Sequence, residues 1–162
     1  MSIEDRLDAL ERRVHELEDT IAIYQVLASY GPSVDGGAGD AVHQLWTEDC
    51  RYDTDTGSGG MSSRDEVATM ANNVGGVPPR FAHVINTPIV VVDGDTAVAT
   101  GHSTTYRRDG ERFYPDRVSA NRWELERVDG RWRTKLRVNR LLDGSPEARA
   151  VLARGLRESL GG

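Results

Sequence analysis

Val118-Ser119-Ala120-Asn121-Arg122-Trp123-Glu124-Leu125-Glu126-Arg127-Val128-Asp129-Gly130-Arg131-Trp132-Arg133-Thr134-Lys135-Leu136-Arg137-Val138-Asn139 reads as two β-strands and the turn that joins them. Aromatic and β-branched residues alternate with charged ones on both sides of Asp129-Gly130. An Asp-Gly pair suits a two-residue hairpin turn, whose central positions need a left-handed backbone. The same signal recurs upstream in Val92-Asp93-Gly94-Asp95, between stretches at 81–92 and 96–107 that share the composition. With 118–128 and 132–139 these make four strands of an antiparallel meander, beginning after Pro79.

What precedes the strands is helical. Ile3, Leu7, Leu10, Val14, Leu17 and Ile21 recur at alternating spacings of four and three, a heptad stripe with charges between. Residues 1–20 therefore form an amphipathic helical extension that needs a partner, either its own domain or a neighbouring subunit. Ile23, Tyr24, Val26, Leu27 and Tyr30 broaden the apolar surface, so the second half of this helix is embedded in the domain. Gly31-Pro32 disfavours further regular helix, and 36–40 reads as a turn before a short helix over 41–45. A further helix spans 63–73, with Ser63 as cap and Glu66 three residues on. Ser145-Pro146-Glu147 opens a last helix over 145–160, proline standing at the first helical position. Helices followed by hairpin-linked strands define an α+β domain with helices packed on a curved antiparallel sheet.

The chain has 162 residues, of which 38% are apolar, enough for one domain with a core of its own. A formal charge of -6 argues against nucleic acid or an anionic membrane surface as partner. No apolar run reaches the roughly 20 residues of a membrane span, and the N-terminus lacks the apolar core of a leader. Cys50 is the single cysteine, so no internal disulfide forms, and no Cys/His spacing suggests a metal site. The expectation is a cytoplasmic protein without metal or cofactor.

Three residues carry the chemistry. Tyr30 and Asp35 end the long helix, and His83 heads the first strand in Arg80-Phe81-Ala82-His83-Val84. A buried Asp–His pair is a common proton-abstracting base, because the carboxylate fixes the imidazole tautomer and stabilises the imidazolium. Read singly, Asp35 is equally a helix-end turn residue, His83 a core histidine and Tyr30 a packing residue. His15 and His43 read as surface residues, and Gly57-Ser58-Gly59-Gly60 lacks the Lys-Ser/Thr of a phosphate loop. Arg133, Lys135 and Arg137 alternate with Trp132, Thr134, Leu136 and Val138, which places the cations on one sheet face. Trp46, Trp123 and Trp132 read as core or pocket wall.

These residues together resemble the SnoaL-like branch of the nuclear-transport-factor-2-like superfamily. The resemblance rests on Ile21-Ala22 through Tyr30 to Asp35, Leu45-Trp46-Thr47-Glu48-Asp49-Cys50, His83-Val84, Val92-Asp93-Gly94-Asp95-Thr96-Ala97, and Trp123 with Asp129-Gly130-Arg131-Trp132. It implies a cone-shaped single domain, its helices and strongly curved antiparallel sheet enclosing a deep, mostly apolar pocket. Within the branch the chain looks most like scytalone dehydratase, the bile-acid dehydratases and hexachlorocyclohexane dehydrochlorinase. That likeness implies an Asp–His dyad at Asp35 and His83, a tyrosine over the substrate at Tyr30, and a pocket arginine at Arg137. It also implies a homo-oligomer, with a trimer favoured and a dimer possible. Scytalone dehydratase has a second catalytic histidine where this chain reads His102-Ser103-Thr104-Thr105-Tyr106-Arg107-Arg108, and the bile-acid dehydratases carry an acidic residue near the position of Tyr106 or Arg107 that this chain lacks, a role left to His102 or Tyr106. The implied reaction is a cofactor-independent elimination of water from a small, largely apolar carbonyl-bearing ring, with Trp46, His102, Tyr106 and Arg137 binding the substrate. Isomerisation of a steroid- or polyketide-like ketone and non-catalytic binding of a small hydrophobic molecule are the alternatives.

Overall fold

A computed structural model describes residues 1–57, 59–75 and 81–161. The change of period at Pro79, the residue Arg80 and the centre of the 57–60 glycine run therefore lie outside the described residues. The elements are α1 (Ile3–Asp35), α2 (Gly39–Leu45), β1 (Trp46–Thr54), α3 (Arg64–Gly75), β2 (Phe81–Ile85), β3 (Ile89–Asp93), β4 (Thr96–Asp109), β5 (Arg112–Val128), β6 (Arg131–Leu141) and α4 (Pro146–Ser159). The α+β reading holds. The sheet is mixed rather than wholly antiparallel, because β1 joins the far side of β6 in parallel, in the order β1-β6-β5-β4-β2, with β3 also on β4. Strand β1 escaped the sequence reading because Thr47-Glu48-Asp49 offers neither alternation nor β-branched enrichment.

Both Asp-Gly turns form hairpins, and Asp129 and Gly130 take the positive φ values of 51° and 74° that this turn demands. The strand expected over 81–92 is two strands. Pro88 has no N–H for the ladder, and it sits so close to Gly101 that a Cβ there would stand 3.1 Å from its Cα. Strands β4 and β5 run further than expected, to a third two-residue turn at Gly110-Glu111.

Helix α1 is capped by a reciprocal Ser2–Asp5 box and runs straight through Pro32. Proline inside a helix costs about 3 kcal/mol. Here the last turn is fixed by burial of Val34, by the Ser33 hydroxyl donating to the Tyr30 carbonyl at 2.7 Å, and by Asp35 itself. Ile23 and Leu27 pack on Ala97, Ala99, Trp123, Leu125 and Trp132 of the inner sheet face. Tyr30 and Val34 join Val42, Trp46, Tyr52 and Val67 under α2 and α3. Helix α4 covers the opposite face, where Gly155 rides on Thr100 with no room for a side chain.

Asp19 clasps α1 to the β5–β6 hairpin, accepting from Arg127 twice at 2.8 Å and from the Trp132 indole at 3.0 Å. Burial pushes its carboxyl up, but these donors outweigh it and hold the pKa below the ordinary 3.8. A depressed carboxylate stabilises the fold fully above its unfolded pKa, and that part is lost as pH falls through the folded value. Asp19→Asn should therefore flatten the acid side of the stability curve below about pH 4, by on the order of 0.5 kcal/mol for a part-buried pair near the surface. Thermal melts of both proteins between pH 7 and pH 3 check this.

Candidate active site

The junction of α1 with β2 is built on a glycine. A Cβ on Gly31 would lie 2.3 Å from the His83 carbonyl oxygen, so only glycine lets the helix backbone approach the strand this closely. One helical turn later, on the same face, Asp35 meets His83 through both carboxylate oxygens. Oδ2 accepts the His83 backbone N–H at 2.7 Å, and Oδ1 lies 2.5 Å from Nδ1 of the ring. An ionised carboxylate only accepts, so the bonded Nδ1 carries the proton and Nε2 is the basic nitrogen. No described residue hydrogen-bonds Nε2, and the ring lines a cavity with Tyr30, Tyr52, Ser103, Asn139 and Arg137. Asp35 and His83 keep about a quarter of their side-chain surface open.

Alanine normally stabilises a helix relative to glycine by about 1 kcal/mol. Gly31→Ala should do the reverse, lowering stability by about 1–3 kcal/mol as α1 is pushed off β2. It should also weaken any activity that needs the Asp35–His83 contact by about tenfold or more. A melt and an amide spectrum of the variant check the sign.

Sheet register sets the rest of the wall. His83 opposes Thr105, Ile85 opposes Ser103, Ser103 opposes Ser119, Asn121 opposes Asn139, and Trp123 opposes Arg137, which also opposes Tyr52. Strict alternation would send Arg137 to the face away from Trp132. A bulge at Lys135 prevents this: Leu125 pairs with Thr134 and Glu124 with Leu136, so one residue of β6 is skipped. Arg137 and Asn139 thereby turn inward, and Arg133, Lys135 and Arg137 do not share a face as the sequence pattern implied.

Arg137 is 2% exposed. Its guanidinium carbon lies 4.2 Å from the Tyr30 ring centre, 4.8 Å from that of Tyr52 and 5.3 Å from that of Trp123. Nε and Nη2 donate to the Asn121 side-chain oxygen at 3.0 and 2.8 Å, and Nη1 has no partner. Asn121 also accepts from Asn139 and donates to the Ser103 hydroxyl, both at 2.8 Å. No carboxylate neutralises Arg137 among the described residues, whereas Arg117 on the same cavity is paired with Asp55. Burial first, and the neighbouring Tyr52 second, push the Tyr30 phenol far above its ordinary 10, against the opposing pull of Arg137. Tyr30 is therefore a neutral hydrogen-bond donor.

The cavity departs from the deep, mostly apolar pocket expected. It holds about 70 Å³, and serine, threonine, asparagine and arginine dominate its described lining. The physical reason is the inner-face sequence itself: Ala97, Ala99, Trp123 and Leu125 lie at the end packed on α1, while Ser103, Ser119, Asn121 and Asn139 fall at the other. Tyr30, His83 and Arg137 line the cavity, with Asp35 bonded to His83. His102 does not reach it. It pairs with Ala120 on the opposite face and is exposed. Tyr106 lies beyond a register shift on the projecting β4–β5 ribbon, outside the lining. Trp46 is core, its ring 6.3 Å from Tyr30 and 6.0 Å from Tyr52. Asn121, Asn139, Arg117 and Tyr52 went unrecognised in the sequence; the Ser119-Asn121-Trp123-Leu125 alternation was the signal that pointed to Asn121. Among the described residues no His, Cys, Asp or Glu cluster could hold a metal, and no helix is long and apolar enough to cross a membrane. Wider grooves lie elsewhere, one of about 700 Å³ beside Asp19 and Trp132, but they are open surface features.

Helices on a six-stranded mixed sheet, with a polar cavity between α1 and the inner face, define the cystatin-like architecture of nuclear-transport-factor-2-like domains. The chain belongs to the SnoaL-like domain family, which matches residues 15–138. An NTF2-like protein with a cystatin-like fold from Novosphingobium aromaticivorans is 37% identical, with a TM-score of 0.82, over 90% of this chain and 96% of that one. A protein of unknown function from Mycobacterium tuberculosis is 21% identical, with a TM-score of 0.72, over 91% and 89% of the two chains. An NTF2-like superfamily protein from Salmonella enterica shares the fold at 17% identity and a TM-score of 0.60, over 74% and 88%. No curated protein matches the chain.

Proposed function

We propose that the chain is a cofactor-independent lyase that removes water from a small carbonyl compound, with Asp35 and His83 as its basic dyad. The observation that carries this reading is Asp35 gripping Nδ1 of a histidine that lines the same cavity as an uncompensated guanidinium. Nε2 takes a proton from the carbon next to the substrate carbonyl, and the C–H electrons pass to the carbonyl oxygen. The Tyr30 hydroxyl and Arg137 Nη1 stabilise the oxyanion that develops. General-base and oxyanion contributions of this kind are each worth about a hundredfold or more.

The described lining of the cavity contains no carboxylic acid and no second histidine. The imidazolium of His83 therefore returns its proton to the leaving hydroxyl as the C–O bond breaks, so that water departs from the face from which the proton was taken. The same lack of a second acid favours isomerisation as the second reading, in which the proton returns to another carbon. Cavities for drug-sized ligands run to about 300 Å³ and more. At about 70 Å³ this one suits a short carbonyl compound, or the reacting end of a longer one, better than an enclosed steroid.

The test is incubation with a panel of small β-hydroxy ketones and unsaturated ketones in deuterated water, read by mass spectrometry. Loss of water marks the lyase, and deuterium uptake without loss marks the isomerase. Ligand binding with neither signal, unchanged in Asp35→Asn, would leave a binding protein and sink the catalytic reading.

A further inference from the structure

Helix α1 carries two apolar stripes on opposite faces. Ile23, Leu27, Tyr30 and Val34 are buried against the helix's own domain. Ile3, Leu7, Leu10, Val14, Leu17 and Ile21 lie roughly 150° around the helix from them, at 3.6 residues per turn, and all six are exposed. Asp19, bound to Arg127 and Trp132, pins the side of the helix away from this second stripe against the sheet. The domain therefore cannot cover it, and of the two partners the sequence allowed, only another molecule remains.

The charges beside the stripe identify that molecule. In heptad lettering Leu7, Val14 and Ile21 occupy a, and Ile3, Leu10 and Leu17 occupy d. Glu4, Glu11 and Glu18 then fill every e position, and Arg6 and Arg13 the first two g positions, all of them exposed. In a parallel pair each g residue faces the e residue of the next heptad of the other chain. Arg6 would meet Glu11 and Arg13 would meet Glu18, in both directions. An antiparallel pair sets g against g and e against e, which brings arginine to arginine and glutamate to glutamate. Val and Ile at two of the three a positions with Leu at two of the three d positions favour two strands over three.

We infer that α1 forms a parallel, in-register two-stranded coiled coil with a second copy of this chain, through a seam from Ile3 to Ile21 about 28 Å long. The seam is short, so association is concentration-dependent. The inference stands apart from the proposed chemistry, since it uses none of the cavity residues.

Sedimentation velocity of the full chain across the micromolar range should show a monomer–dimer equilibrium. Leu10→Glu with Leu17→Glu should give a monomer whose sheet and cavity spectra are unchanged. Glu11→Arg with Glu18→Arg, or Arg6→Glu with Arg13→Glu, should each weaken self-association by about tenfold or more, and mixing the two should restore it as a heterodimer. Ile3→Cys should cross-link to itself on mild oxidation, because the two d positions meet only when the strands are parallel. A chain that stays monomeric throughout the range overturns the inference. So does a trimer, a dimer indifferent to the leucine and charge variants, or an Ile3→Cys chain that fails to cross-link.

Discussion

His83→Gln is expected, under the proposed function, to lose at least about a thousandfold in turnover, with little change in stability. Glutamine fills similar space and can still donate toward Asp35, but it has no basic nitrogen for the cavity. Asp35→Asn should cost about as much by another route. Its amide has one accepting oxygen where Asp35 has two, and both the His83 backbone N–H and the Nδ1 proton need one. Satisfying the backbone leaves the amide NH₂ facing Nδ1, which forces the proton onto Nε2 and removes the base. Ring nitrogen shifts report this directly: wild type should show the Nδ1–H tautomer and Asp35→Asn the reverse. If Asp35→Asn keeps both the tautomer and the rate, the dyad does not act as a base.

Arg137→Met should separate activity from stability. A cation with no carboxylate partner pays several kcal/mol of desolvation, which cation–π contacts with Tyr30, Tyr52 and Trp123 and one amide oxygen offset in part. Methionine fills most of the same space without the charge. The variant is therefore expected to melt about 1 kcal/mol more stably than wild type, while turnover falls about a hundredfold or more as the developing oxyanion loses a charged donor. A guanidinium kept for packing alone would give the opposite sign, a drop in melting temperature with activity intact. Parallel melts and rate measurements on one preparation decide between them.

The hairpin turns, the three helices flanking the site and the residues Tyr30, Asp35 and His83 were legible because each has a local cause: Asp-Gly geometry, capping and periodicity, and a side-chain type suited to proton transfer. Three features were not, and each depends on contacts distant in sequence. Pro32 reads as a helix stop, yet burial of Val34 and the bond from Asp35 to His83 carry the helix past it. Strand β1 has no strand pattern of its own and is held by its parallel partner β6. The bulge at Lys135 leaves no mark in a sequence that alternates perfectly through it, so the inward turn of Arg137 was implied by resemblance and not by pattern. His102 failed for the complementary reason, since alternation from Ser103 sends it out of the cavity once the register is known.

Strand β2 closes one side of the sheet, and its outward N–H at His83 is taken by Asp35. An open N–H on an edge strand is an invitation to another extended chain, and proteins commonly spend a charge, a proline or a covering helix to withdraw it. Here the withdrawing group is the carboxylate that orients the imidazole. Helix α1 itself covers this stretch of edge, its backbone at Gly31 lying against the His83 carbonyl, so the carboxylate that holds the imidazole also satisfies the outward donor beside it and ties the end of α1 to the sheet.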